Sequence, residues 1–88
     1  NPFRTRGRET TVIPYALDEA SNDTRISIFS VTGELVRVLE QGQRSARSFT
    51  ATWDGTNQRG GAVASGIYFY VLEANGRAHQ RTLAVVRE

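Results

Sequence analysis

The stretch from Ala51 to Gly76 reads ATWDGTNQRGGAVASGIYFYVLEANG, and its reading decides the fold. Both ends carry the alternating or continuous apolar character of strands, while the middle is polar and rich in glycine. Either that middle binds a phosphate or a metal, or it connects two strands. Asp54, Thr56 and Asn57 are oxygen donors of the kind calcium takes. Their spacing does not fit the twelve-residue EF-hand loop, and no bidentate glutamate follows at the required distance. Gly60, Gly61 and Gly66 do not form the G-x-x-x-x-G-K phosphate cradle, and no helix follows to supply a dipole. Asp-Gly followed by Asn is ordinary turn chemistry. The middle reads as a connection.

Working outward, strand follows strand. In RSFTATWD the residues Phe49, Ala51 and Trp53 share one side, and Ser48, Thr50 and Thr52 the other. This is a half-buried strand anchored in the core by Trp53. GIYFYVLEA is apolar on both faces, as a strand in mid-sheet is. Tyr68, Tyr70 and Leu72 are expected in the core. Ile67, Phe69 and Val71 fall on the opposite face, which is an interface if nothing in the domain covers it. Asn75-Gly76 is a strong hairpin signal leading into RAHQRTLAVVR. There Leu83 and Val85 form an apolar stripe flanked by arginines, suited to pairing along a sheet edge or to being read by a partner.

Upstream, TTVIPYAL places Thr11, Ile13, Tyr15 and Leu17 on one face. Pro14 cannot donate to a ladder and marks an edge strand. DEASND, residues 18–23, reads as a turn, and TRISIFSV as a strand with Ile26 and Ile28 facing inward. Gly33 in VTGE supplies the positive φ of a tight turn into ELVRVLEQ. In that run Val36 and Val38 share one face and Leu35 and Leu39 the other; a bulge reconciles Val36 with Leu39. GQRSA then reads as a polar loop, and AVA as a brief pairing. The spacing of strands and turns predicts an all-β, antiparallel sandwich of the Ig/fibronectin type with about seven strands.

The 88 residues leave room for one domain with one core, residues 1–88. The chain contains no methionine, not even a first one, and so reads as a module of a longer protein whose targeting signal, if any, lies upstream. No run approaches the roughly 20 apolar residues of a membrane helix. Absence of cysteine excludes disulfides, thiolate metal sites and cysteine nucleophiles. All 11 basic residues are arginine, so lysine-based covalent chemistry is excluded as well. The net charge of +2 and one small cluster, Arg4, Arg6 and Arg8, fall short of the basic face that nucleic acid demands.

Nothing in the sequence assembles a catalytic set. His79 is the single histidine and stands on a strand with an exposed aspect. Ser65 lies in ASGIY, which is not a G-x-S-x-G elbow, and the nine carboxylates are spread over turns. The expectation is a non-enzymatic chain with no cofactor, no metal and no membrane insertion, monomeric in isolation.

Taken in order, NPF, TVIPYAL, ISIFSVTGELVRVL, TWDGTNQRGGAVASGIYFYVLEANG and RTLAVVR resemble the Ig-like C-terminal domains of secreted bacterial proteins. Two related groups share the pattern: the type IX secretion C-terminal sorting domain and the Ig-like domain of the flagellar hook capping protein. The resemblance spans nearly the whole chain. It departs where Arg81 replaces the usual lysine of the last strand and where RTRGRE follows NPF. It implies a module last in its polypeptide, recognised by export machinery through the Gly33-Glu34 turn, the Gly66-Ile67-Tyr68 segment and the terminal strand ending Val86-Arg87. The function expected first is therefore sorting and anchoring of a larger protein at the bacterial surface or exterior, with the export machinery and upstream domains as partners. A structural spacer or surface-assembly role comes second, and carbohydrate binding third.

Overall fold

Period-two patterning becomes strand wherever one face can be buried. The computed structural model describes residues 2–5 and 11–87, with side chains from 11 to 86, and these contain seven strands and no helix. They are β1 (Pro2–Thr5), β2 (Thr11–Ala16), β3 (Ser21–Ser30), β4 (Leu35–Arg44), β5 (Ser48–Trp53), β6 (Gly66–Ala74) and β7 (Arg77–Arg87). The arginine cluster at positions 6 and 8 lies outside the described residues, as does the side chain of Arg4. One sheet has the order β1-β7-β6-β3-β4, and β2 and β5 form the other. All pairings are antiparallel except that of β1, which runs parallel to β7. The architecture is an Ig-like β-sandwich.

Between the sheets lie Ile13, Tyr15 and Leu17, then Ala51 and Trp53, facing Ile26, Ile28, Tyr68, Leu83 and Val85. Trp53 and Tyr68 meet edge to face across this layer, with ring centroids 5.6 Å apart. The alternation of β2 and β5 appears as expected, with Val12, Pro14, Ala16, Ser48, Thr50 and Thr52 turned to solvent. β6 sits in the middle of its sheet, between β7 and β3. Tyr70 and Leu72 are half-buried against the core, which Tyr68 joins fully.

Three boundaries differ from the sequence reading. The turn before β3 is shorter than 18–23, because Ser21 is already buried and paired with Arg44. A register shift between Ser21 and Thr24 takes up Asn22 and Asp23, so polar residues enter the strand without entering the core. For the same reason β4 runs on through Gly42 to Arg44, into what reads as a loop. The third concerns β4 itself. Ile26 pairs with Glu40, Ser27 with Val38, Ile28 with Arg37 and Phe29 with Leu35. Two bulges therefore intervene, at Leu39 and at Val36, and each turns its extra residue toward the core. Val36 and Leu39 thus share the core side as expected, through two bulges where the sequence reading supplies one.

The turns use the backbone freedom their residues offer. Gly33 has φ of 90° and donates to the Ser30 carbonyl at 2.9 Å. Asn75 and Gly76, at φ of 53° and 74°, close the β6–β7 hairpin with both central residues left-handed, as a type I′ turn requires.

Candidate functional site

Trp53 fixes the glycine-rich connection. Its indole Nε1 donates to the Thr56 carbonyl at 2.9 Å. Asp54 Oδ1 accepts the Thr56 amide at 3.1 Å and the Thr56 hydroxyl as well. From β4, Arg37 Nη1 donates to Thr56 Oγ1 at 2.7 Å and to the Asn57 carbonyl at 2.9 Å. Asn57 Oδ1 accepts the amides of Arg59 and Gly61. A bridge between Thr56 and Ala62 is the brief pairing expected of AVA. The Thr56 hydroxyl, followed by lesser contributions that include the Arg37 charge, holds the Asp54 carboxyl below its ordinary pKa. The oxygens that resemble a cation site are thus engaged within the loop. Among the described residues no three of His, Asp and Glu converge on a metal-sized point.

A second polar cluster flanks the small sheet. The Tyr15 hydroxyl donates to Glu40 Oε1 at 2.8 Å, and Arg44 bonds both groups. Burial, then the bond to Glu40, push the Tyr15 phenol up. Phe49 stacks on Tyr15 at 5.2 Å, and the Arg47 guanidinium lies 4.8 Å from the Phe49 ring centroid. The cluster ties β2, β4 and β5 together and offers no second carboxylate for acid–base work.

The residues the resemblance implies for recognition converge on one end of the large sheet. Gly66 pairs with Val85, Ile67 with Ala84 and Tyr68 with Leu83, while Tyr68 also pairs with Ser30, where the Gly33-Glu34 turn begins. Their side chains divide in two. Tyr68, Leu83 and Val85 point into the core at 9%, 4% and 2% exposure, so no partner can touch them in the folded chain. Gly33, Glu34, Gly66, Ile67 and Val86 are exposed. Arg87 ends β7, and its side chain lies outside the described residues. The aromatic run offers no open stacking face for a sugar, since Tyr68 is buried and Phe69 and Tyr70 are half-buried.

Ile67 belongs to a wider apolar surface on the outer face of the large sheet. Val31 is 66% exposed, Ile67 46%, Leu35 39% and Val86 37%. Half-buried Phe29, Phe69 and Val71 continue this surface inward along the sheet. Ser27, which also faces outward, is wholly covered between its cross-strand neighbours Val38 and Val71. Among the described residues no element lies over this face. The sequence places Ile67, Phe69 and Val71 there, and the alternation of ISIFSV sets Phe29 opposite to Ile26 and Ile28. The same alternation carries Val31 to this face, while Leu35 joins through its pairing with Phe29 after the turn and the bulges.

Known proteins extend this picture. The FlgD Ig-like domain model matches residues 1–77. A comparison with the curated proteins finds no match. Among solved structures, FlgD from P. aeruginosa is similar at 22% identity and a TM-score of 0.69, over 84% of this chain and 58% of that one. PorZ, an essential bacterial surface component of the type IX secretion system of Porphyromonas gingivalis, is similar at 21% identity and a TM-score of 0.50. That likeness covers 86% of this chain and 11% of PorZ. At these identities the two structures share the fold, and this chain spans only part of each. The matched family model, over a sandwich whose W-D-G connection is internally bonded, shows that the chain belongs to the FlgD Ig-like domain family.

Proposed function

We propose that the chain is a non-catalytic Ig-like assembly module, which holds a larger bacterial protein in a structure at or beyond the cell surface. The observation that carries this reading is the uncovered apolar face of the large sheet, with Val31, Leu35, Ile67 and Val86 exposed at one end. Monomeric soluble domains rarely leave such a contiguous surface open unless it binds something. Membership of the FlgD Ig-like family supports the assembly role over catalysis. A photo-crosslinking residue at position 67, in the host that makes the protein, should capture a surface-assembly component. Val31→Asp with Ile67→Asp should abolish capture while circular dichroism stays unchanged. Capture that survives the double substitution would remove this face from the reading.

Sorting is the second reading, supported by the likeness to PorZ and by the convergence of the three implied segments at one end. Residues 1–88 placed behind a periplasmic fluorescent protein should then reach the surface in a host with type IX machinery. Delivery there, lost in Val86→Asp with the fold intact, would put sorting first.

A further inference from the structure

The β6–β7 hairpin turns on Asn75 and Gly76, both exposed. The side-chain amide of an asparagine is an electrophile within reach of the next residue's main-chain nitrogen. Glycine alone leaves that nitrogen unshielded by a side chain. Of the four asparagines, Asn1 precedes a proline, which has no N–H, Asn22 precedes aspartate and Asn57 precedes glutamine. Asn57 Oδ1 is also held by the amides of Arg59 and Gly61. At Gly76 nothing lies within 4 Å of where a Cβ would stand. Its amide bonds no other group among the described residues. Asp54-Gly55 has the same spacing, but a carboxylate is the poorer electrophile, and Asp54 Oδ1 is engaged by Thr56.

The turn also keeps the two reacting atoms apart. In a type I′ turn the first central residue has ψ of about +30°, which swings the following nitrogen to the far side of the Cα–C bond from Cβ. Ring closure needs both on one side. The φ values of 53° and 74° at Asn75 and Gly76 belong to this geometry. Attack therefore waits until the tip opens. Opening breaks the pairing of Ala74 with Arg77 and the bond from Asn75 Nδ2 to the Glu19 carbonyl at 3.4 Å. That is a small local unit.

We propose that Asn75-Gly76 is a self-modifying site, which deamidates at a rate set by opening of the hairpin tip. The Gly76 nitrogen gives up its proton to hydroxide and bonds to Asn75 Cγ; the Cγ–Nδ2 bond breaks, and Nδ2 leaves as ammonia. Water then opens the succinimide, at Cγ to give aspartate or at the main-chain carbonyl to give isoaspartate. Nothing is oxidised or reduced. Either product puts a carboxylate where Asn75 Nδ2 donated, and the Glu19 carbonyl repels it. Isoaspartate also routes the main chain through Cβ and Cγ, adding an atom to a turn fitted to two residues. Both changes loosen the tip and its tie to the β2–β3 connection. The site is separate from the apolar outer face, so the assembly reading stands or falls without it.

The test incubates the folded chain of residues 1–88 beside a synthetic peptide of residues 71–80 at neutral pH. Mass spectrometry of digests follows the conversion of amide to acid, and the free peptide sets the ungated rate. Conversion at Asn75 should precede that at Asn22 and Asn57. It should run about ten- to a hundredfold slower than in the peptide, equivalent to a tip-opening cost of about 1.4–2.8 kcal/mol. In the isolated isoaspartate product the amides of Ala74 and Arg77 should exchange hydrogen faster. Asn75→Asp, which brings the charge without the added atom, should speed them less. Equal rates in chain and peptide, earlier conversion at another asparagine, or an Asn75 intact well beyond that window would overturn the proposal. Unchanged exchange in the isoaspartate product would overturn the loosening.

Discussion

Trp53 does two jobs that the sequence shows separately. Its alternation with Ala51 and Phe49 predicts a buried ring, and the D-G that follows predicts a turn. The structure joins them, since a side chain 1% exposed also donates its one polar hydrogen to the Thr56 carbonyl of that turn. Trp53→Ala should therefore cost about 3–5 kcal/mol, because the core closes only in part around the lost ring. Urea unfolding measures it, and a loss below about 1 kcal/mol would contradict the burial. Tyr68, Leu83 and Val85 teach the reverse lesson. Motif resemblance marks Tyr68 for recognition and the apolar stripe marks Leu83 and Val85, yet all three are buried and hold their strands in place. A motif records which residues recur and is silent about whether they recur for packing or for contact.

Among the elements, strands with one buried face were legible in advance: β2 and β5 follow their alternation residue by residue. β4 was not, because period two fails where a bulge inserts a residue, and its two bulges at Val36 and Leu39 leave no consistent face to read. The ends of β3 and β4 were hidden too, since Asn22, Asp23 and Gly42 favour turns and only tertiary pairing draws them into a ladder. The W-D-G connection was legible as a connection, but its reach to Arg37 on another strand was not. That connection predicts a pH dependence. Asp54 ionises more readily in the folded chain, so its contribution is fully present above the unfolded carboxyl value of about 3.9 and is lost as pH falls through the lower folded value. Asp54→Ala should destabilise at neutral pH by less than about 1 kcal/mol, because water screens an exposed carboxylate. In urea titrations at a series of pH values the gap from wild type should close below about pH 4. A gap that widens in acid would reverse the assignment.

For the molecule as a whole, β7 is both a boundary and a part of the core. Deleting Thr82 to Glu88 removes Leu83 and Val85, two side chains whose burial stabilises by about 3–6 kcal/mol together. A domain of this size is stable by only about 4–13 kcal/mol. The truncated chain should lose its cooperative urea transition, whereas Val86→Asp should keep it; a truncated chain with an unchanged midpoint would show that the last strand is dispensable to folding. Any trial of the terminal strand as a signal therefore needs surface substitutions in place of deletion. The parallel seam between β1 and β7 has a mechanical meaning as well. Pro2 lies beside Ala84 and Thr5 beside Arg87. Tension drawn through the two ends of the chain slides these strands past each other lengthwise, so the bonds of the seam resist in concert. A hairpin opened from its mouth gives them up one by one. The domain is thereby built to hold under an end-to-end pull and to yield to sideways peeling, so the direction of stress, as much as its size, sets when it comes apart.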